Sequence, residues 1–435
     1  MRPITIIAEV RPDAAAPTRI AEATCMFRAR DAHRAHPDDL IELEEDDDPA
    51  LVETHRRVLG LRIAAGESDD AVERLLTTPA RFYHVVYEAE THADTLRPLR
   101  LLQKLQRQDV IAYAAGTIGM WTRAAAPQLG APAVVGTLDG DIATHGVPNV
   151  RRLIDDYGFP NVHHARELFG IAGDPIFGSL SPRLHNAAFR ELNRHALYVP
   201  FHVRDFDDFW SGLVAGAPTD ALGLPLRALC VVSPHKAVAL DSASSATALV
   251  ARTRSSNFFV RGASGWVADT TDAAGLLLAL ADSGVDVTTL KAAVVGCGGS
   301  GRTIAAALQQ AGADVTLVNR GPDRASLAVR LLRLPFRPLA NFSPSGYSLV
   351  VNATPLGGQG EPPPFAIGEL DRDAIVVDLV YGQRPTPLVA ATRGNGRVVI
   401  DGKDILVKQA MRQFHLMTGQ EMPPAIAPRV LTPVA

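Results

Sequence analysis

The chain has 435 residues, a formal net charge of −4, 47% hydrophobic and 21% charged residues, which is enough sequence for about three domains with buried cores. No basic run is interleaved with aromatics, no apolar stretch approaches a membrane span, and the three cysteines are too scattered for a disulfide framework or a zinc site. Nucleic-acid binding, membrane insertion and bound metal are therefore not expected, and a reducing cytoplasm is.

Taken in order, Met1 to Val10 has too short an apolar run for a signal peptide and reads as a first strand. Further short apolar runs at Phe82–Tyr87, Val110–Ala115 and Ala133–Val135 predict strands, and the pattern from Thr95 to Gln106 predicts an amphipathic helix, giving a βα layout over residues 1–165. The acidic run from Glu42 to Asp48 reads as a solvated loop. Lys104, the one lysine in this region, falls on the polar face of its helix.

From Glu167 the pattern is a strand, a loop bearing Ser179 and Ser181, and a helix. Ser181 before Pro182 predicts a helix start with serine as the N-cap. Two hydroxyls beside a helix N-terminus suit a carboxylate, while His185 and Asn186 read as packing groups at the helix base. Further on, Lys291–Val295 is an apolar run that meets Gly296, Gly298, Gly299, Ser300 and Gly301 before an alanine-rich helix. Such a turn presents backbone N–H groups and the positive end of the helix dipole to a pyrophosphate. The next strand, Ala313–Val318, ends on Asn319 and Arg320, with Arg324 four residues beyond. Arginine where NAD enzymes carry an acid suits a 2′-phosphate, so NADP is the expected cofactor.

Two resemblances are carried by specific residues. Ile111 to Arg123, with Gln128 to Gly130 after it and Arg81 to Ala89 before it, resembles the late barrel strands of type I 3-dehydroquinate dehydratases. Those enzymes form a Schiff base through a lysine assisted by a histidine; here Tyr87 stands where the lysine is expected. Arg123 matches the family's substrate-carboxylate arginine, although a surface arginine at a helix start accounts for it equally. The segment is short for a barrel of ~250 residues, so it reads as a degenerate relative without the chemistry.

Residues 166–435 closely resemble shikimate dehydrogenases. The run from Leu168 to Phe189 resembles that family's substrate loop. Leu226 to Lys236 then matches the loop ending on the catalytic lysine, Ser256-Asn257 the substrate asparagine, and Ala268 to Gly275 the segment with the catalytic aspartate, Asp272. The glycine turn, Asn319-Arg320, Val351 to Gly357, Val377 to Tyr381 and Gly402 to Ala410 follow in the family's order. The resemblance implies Lys236 and Asp272 as the catalytic pair and Ser179, Ser181, Asn257, Gln409 and Tyr381 as substrate contacts. It implies Gly296, Gly298, Gly299, Ser300, Gly301, Asn319, Arg320, Arg324, Asn352, Thr354 and Leu379 as cofactor contacts. Chemistry needs such a pair on its own account, since reducing a ketone requires a proton at the developing alkoxide, and Lys236 is one of only five lysines. Cys230 and Val232 depart from the family, standing where polar contacts to ring hydroxyls are usual.

The expected architecture is α/β: a truncated βα-barrel-like domain over 1–165, a substrate domain over 166–270 completed by residues 401–435, and a Rossmann-type NADP domain over 271–400. A proline-rich tail after Met422 is expected to run extended. The expected function is an NADP-dependent oxidoreductase interconverting 3-dehydroshikimate and shikimate or a close hydroxy-acid, with the oligomeric state open. The alternatives are a regulatory pseudoenzyme that binds NADP or the acid, and a bifunctional dehydratase–dehydrogenase.

Overall fold

Strands rich in valine, isoleucine and alanine with no polar alternation are suited to burial on both faces, the signature of parallel sheets covered by helices. The computed structural model describes residues 3–10, 20–138, 146–161, 163–358, 361–382 and 384–431, and it divides into residues 1–233 with 423–435 and residues 234–422.

In the first unit, β1 (Thr5–Glu9), β2 (Ala23–Arg28), β3 (Leu40–Leu43), β4 (Arg57–Ile63), β5 (Phe82–Tyr87), β6 (Val110–Ala114) and β7 (Ala133–Thr137) form one parallel sheet in the order β6-β5-β4-β3-β2-β1-β7. Every residue of β5 and β6 is buried. The predicted helix appears as Arg97–Leu105, burying Leu99, Leu101 and Leu102 and ending on Gln106 in the left-handed region, with Lys104 exposed. Two expectations are corrected here. The acidic run is not uniformly solvated: Glu42 belongs to β3 and is 3% exposed, held by His84 and Arg28, and only the residues after β3 reach solvent. Arg123 is neither at the surface nor at a helix start, because it lies in the last turn of the helix Gly116–Ala125 and is 6% exposed.

The same unit holds β8 (Glu167–Gly173), β9 (Ala196–His202) and β10 (Leu226–Val231), parallel in the order β10-β8-β9. Asn186 on the helix Ser181–Glu191 clamps the backbone of Tyr198, donating to its carbonyl at 2.9 Å and accepting from its N–H at 2.8 Å. His185 stacks on the Tyr198 ring at 4.4 Å, so both residues are packing groups as expected. The tail is not extended throughout: Ile426–Leu431 is helical, buries Ile426 and packs on the helix Ser181–Glu191, with Arg429 paired to Glu191 at 3.0 Å.

In the second unit, β11 (Ser245–Ala246), β12 (Phe258–Gly262) and β13 (Gly265–Asp269) run in the order β11-β13-β12, with β12 and β13 antiparallel. Then β14 (Lys291–Val295), β15 (Asp314–Asn319), β16 (Phe336–Pro338), β17 (Leu349–Asn352), β18 (Ile375–Asp378) and β19 (Val399–Ile400) form a parallel sheet ordered β16-β15-β14-β17-β18-β19. Counted from β14, this is the doubly wound order 3-2-1-4-5-6, whose switch point lies between β14 and β17. The glycine turn leaves the sheet there.

Candidate active site

The turn is shaped by steric necessity. Gly296 has φ +111 and its missing Cβ would stand 2.9 Å from the Ala353 carbonyl after β17, while a Cβ on Gly301 would lie 1.8 Å from the Gly296 carbonyl. A Cβ on Gly298, in contrast, would meet nothing within 4 Å, leaving the start of the helix Gly299–Gln310 open to a ligand, with no side chain capping it. Asn319 pins the turn from β15, accepting from the Cys297 N–H at 3.1 Å and donating to the Gly321 carbonyl at 2.8 Å. Arg302, which the sequence reading missed, holds it from behind: it is 5% exposed and donates to the carbonyls of Thr253, Cys297 and Arg254. Burial lowers its pKa from the ordinary arginine value, and its charge adds to the positive field of the helix terminus. Arg320 and Arg324 are exposed, as cations that receive a phosphate must be. These groups fit a phosphorylated dinucleotide.

Asn352 is completely buried and fully engaged within the protein. It donates to the Leu356 carbonyl and to Asp378 Oδ1, both at 3.0 Å, and accepts from the N–H and hydroxyl of Thr354. Asp378 in turn accepts from Thr386 at 2.6 Å. This network sets the backbone after β17 and β18; Leu379 follows it directly.

The two residues expected to be catalytic, Lys236 and Asp272, lie in the same unit. Lys236 Nζ is 2.7 Å from Asp272 Oδ2, with the lysine side chain 15% and the aspartate 3% exposed. Asp272 starts the helix Asp272–Asp282, and its other oxygen accepts from Asn257 Nδ2 at 2.7 Å and Gln409 Nε2 at 3.0 Å. Gln409 arrives on the helix Gly402–Thr418, which Asp401 opens with a capping box; Gly275 is the residue it crosses, where a Cβ would lie 2.5 Å from the Gln409 side chain. Asn257 is fixed by Thr271, whose N–H donates to Oδ1 at 2.7 Å, and Gln413 bonds the Thr271 hydroxyl at 3.0 Å. Thus four predicted residues meet around one carboxylate, and Thr271 and Gln413 join them without having been foreseen. The i, i+4 spacing of Gln409 and Gln413 on one helix face was the available signal. The Ser300 hydroxyl accepts from Lys236 Nζ at 2.9 Å, which ties the lysine to the glycine turn.

Ser179 and Ser181 belong to the first unit. The helix begins at Ser181 itself with Leu180 as its cap, so Ser181 is the first helical residue rather than the N-cap expected of it, and the Ser179 hydroxyl accepts its N–H at 3.3 Å. Cys230, 2% exposed, sits beside Tyr198. Burial pushes the Tyr198 phenol well above its ordinary pKa, with Cys230 and Ser181 next to it. Tyr381 is 39% exposed, and no hydrogen bond joins it to the Asp272 cluster among the described residues.

Comparison with known proteins agrees with this layout. A model for ketopantoate reductase PanE/ApbA matches residues 292–338, over the glycine turn and its strands, and one for type I 3-dehydroquinase matches residues 63–162. A bifunctional 3-dehydroquinate dehydratase/shikimate dehydrogenase from Arabidopsis thaliana is 28% identical over 82% of this chain, which spans 61% of that protein's length. A shikimate dehydrogenase (NADP(+)) from Caulobacter vibrioides is 34% identical over 60% of this chain and 93% of its own. Among solved structures, the shikimate 5-dehydrogenase of Thermus thermophilus in complex with NADP(H) and shikimate aligns with a TM-score of 0.54 and 27% identity, covering 60% of this chain and 97% of that one. With the glycine turn, the lysine–aspartate pair and near-complete coverage of such relatives together, the chain belongs to the shikimate dehydrogenase (NADP(+)) family of oxidoreductases, carried behind a 3-dehydroquinase-like barrel segment.

Proposed function

We propose that residues 166–435 interconvert 3-dehydroshikimate and shikimate, or a closely related hydroxy-acid, and that residues 1–165 form a separate domain without dehydratase activity. The observation that carries the first part is the 2.7 Å pair of Lys236 and Asp272, with Asn257 and Gln409 on the second carboxylate oxygen. When bound, the reduced cofactor, NADPH, would supply the hydride and leave as NADP+. Lys236 donates its hydrogen bond, and then a proton, to the oxygen of the reacting carbonyl, and Asp272 accepts from the ammonium and directs it. Asn257 and Gln409 stop the carboxylate from rotating away. Gly296, Gly298, Gly299, Gly301 and Asn319 are assigned to the pyrophosphate turn, Arg320 and Arg324 to the 2′-phosphate, and Asn352, Thr354 and Leu379 to the backbone that lines the nicotinamide. Ser179 and Ser181 are assigned to the substrate carboxylate and Tyr381 to the substrate. Three cysteine thiols, all buried, suit a reducing cytoplasm.

The second part rests on the lysine inventory. The only lysine of residues 1–165 is the exposed Lys104, and Tyr87, where an imine-forming amine is expected, is a buried phenol bonded to Asp69 at 2.8 Å.

The test is a screen of NADPH oxidation over 3-dehydroshikimate and related cyclic keto acids, with 3-dehydroquinate followed separately for dehydration. The expected outcome is NADPH-dependent reduction of 3-dehydroshikimate and no dehydration. Because a hydroxyl facing an apolar side chain loses water without gaining a partner, at about 1–3 kcal/mol, Cys230→Asn with Val232→Thr is expected to raise kcat/KM on 3-dehydroshikimate about tenfold. No keto acid turning over would remove the oxidoreductase reading. High activity in the unaltered protein that falls in the double variant would instead mean that the ring hydroxyls are recognised elsewhere.

A further inference from the structure

Residues 174–180 join β8 to the helix Ser181–Glu191 and carry Ser179. Within them Ile176 is buried, but Phe177 is only partly so, and a Cβ on Gly178 would meet nothing within 4 Å. A hydroxyl on such a stretch keeps a set direction when groups outside the loop hold its backbone.

Two side chains from residues 1–165 do so. Arg152, on the helix Val150–Tyr157, donates Nη1 to the Phe177 carbonyl, two residues before Ser179. Its Nε donates to Asp156 at 3.0 Å, and Asp156, 3% exposed, also accepts from Arg183 of the helix Ser181–Glu191 at 2.9 Å. The planar guanidinium therefore has one edge on a buried carboxylate and the other on the loop. The second side chain is Thr117, on the helix Gly116–Ala125. Its hydroxyl lies 2.7 Å from Nδ1 of His202, whose Nε2 lies 3.0 Å from Asp174 Oδ1 at the start of the loop. His202 ends β9, is buried, and packs on the Phe177 ring with centroids 4.7 Å apart. With Nε2–H donating to the carboxylate, Nδ1 accepts the threonine O–H, so Thr117 selects the tautomer that holds Asp174. The surrounding seam is packed: Trp121, completely buried, lies 5.3 Å from Phe201 between ring centroids, and Asn186 also donates to the Asp156 carbonyl at 3.0 Å. Close-packed contacts of this kind transmit a displacement instead of absorbing it.

We propose that Arg152 and Thr117 are positioning residues of the oxidoreductase: they set the direction of the Ser179 and Ser181 hydroxyls, so the barrel-like segment tunes how tightly the acid is held. This rests on the assignment of those two serines to the substrate carboxylate. The experiment is steady-state reduction of 3-dehydroshikimate by NADPH with full-length variants. Arg152→Ala is expected to raise KM for the acid about tenfold and Thr117→Val about threefold, with kcat and KM for NADPH almost unchanged, the pattern of lost ground-state binding. Arg152→Lys keeps a donor for the Phe177 carbonyl and Thr117→Ser keeps the hydroxyl, so each should return to within about twofold of the parent. Because Arg152 acts through Ser179, Arg152→Ala should add less than about twofold to the KM of Ser179→Ala. Thr117→Val is close in shape to the parent and decides the matter if Arg152→Ala does not fold. Parental KM in both variants would overturn the proposal. So would full additivity with Ser179→Ala, or a loss of kcat at unchanged KM, which a contact that only stabilises would give. If the parent does not reduce 3-dehydroshikimate, or if Ser179→Ala and Ser181→Ala leave KM unchanged, the substrate reading itself fails, and the proposal with it.

Discussion

Asp272 and Glu42 are both about 3% exposed carboxylates, each held by a cation, yet the two clusters around them are chemically different. The cation at Asp272 is a primary ammonium with three rotating donors, a group that can give up a proton to an alkoxide and recover it. The partners of Glu42 are a guanidinium, which does not deprotonate, and an imidazole whose second nitrogen is already engaged by Tyr113. The first arrangement has a proton it can release; the second holds its carboxylate in place. A buried carboxylate alone says little; what its partner can release decides.

The largest expected effect breaks the first cluster. Lys236→Ala and Asp272→Asn are each expected to lower kcat about 10²–10⁴-fold, the worth of a positioned acid–base group, with NADP affinity almost unchanged because the glycine turn is held by Asn319 and Arg302 instead. Near-parental kcat in both variants would remove the pair from the chemistry. The corresponding change in the other cluster, His84→Gln, should leave this kcat where it is.

A smaller effect separates cofactor from chemistry. Arg320 is exposed, so losing it leaves no buried partner stranded, and Arg320→Ala should weaken NADP binding about 10- to 100-fold, as for a charge-assisted hydrogen bond. NAD binding should hardly change. Equal loss for both cofactors would take the 2′-phosphate away from Arg320.

How much of this was legible followed from how local the signal is. The glycine turn, its strand and Asn319-Arg320 lie within thirty residues, and the doubly wound sheet follows from their order. Asp272, Asn257 and Gln409 were found through motif order, but their meeting on one carboxylate depends on the crossing at Gly275, which no single stretch encodes. Glu42 was lost because it sits in an acidic run, and burial of one member of such a run depends on a strand pairing with β2 and β4. His84 was not singled out because all six residues of β5 are buried, so periodicity could not say which of them meets Glu42. The helix start at Ser181, with Leu180 rather than Ser181 as the cap, is a shift of one residue, within the usual uncertainty of helix starts.

The smallest effect tells the two regions apart by acid. His92 in the first unit is 2% exposed and packs edge-on against Phe209, with centroids 5.0 Å apart. Burial, with some repulsion from His202 and despite Asp205, pushes its pKa down to about 4. Asp208 is also near but bonds the backbone N–H of His92, at 3.0 Å, rather than the ring. A histidine whose pKa is lower folded than unfolded binds its proton more readily in the unfolded chain, for which ~6.5 is the reference. Its contribution to stability is therefore complete above about pH 7, declines as the pH falls through 6.5, and is spent near pH 4, with about 1 kcal/mol lost by pH 5.5. Over a region of this size that is roughly 2–4 °C in Tm. No residue of the Lys236–Asp272 cluster is a histidine, so the second unit has no equivalent loss there. In thermal unfolding between pH 7 and 5.5, with the first unit followed by its own tryptophan signals, the parent Tm should fall by that much more than the Tm of His92→Gln, whatever their difference at pH 7. Parallel slopes would mean that His92 is protonated in the folded chain over this range, and that the acid sensitivity of the first unit has another source.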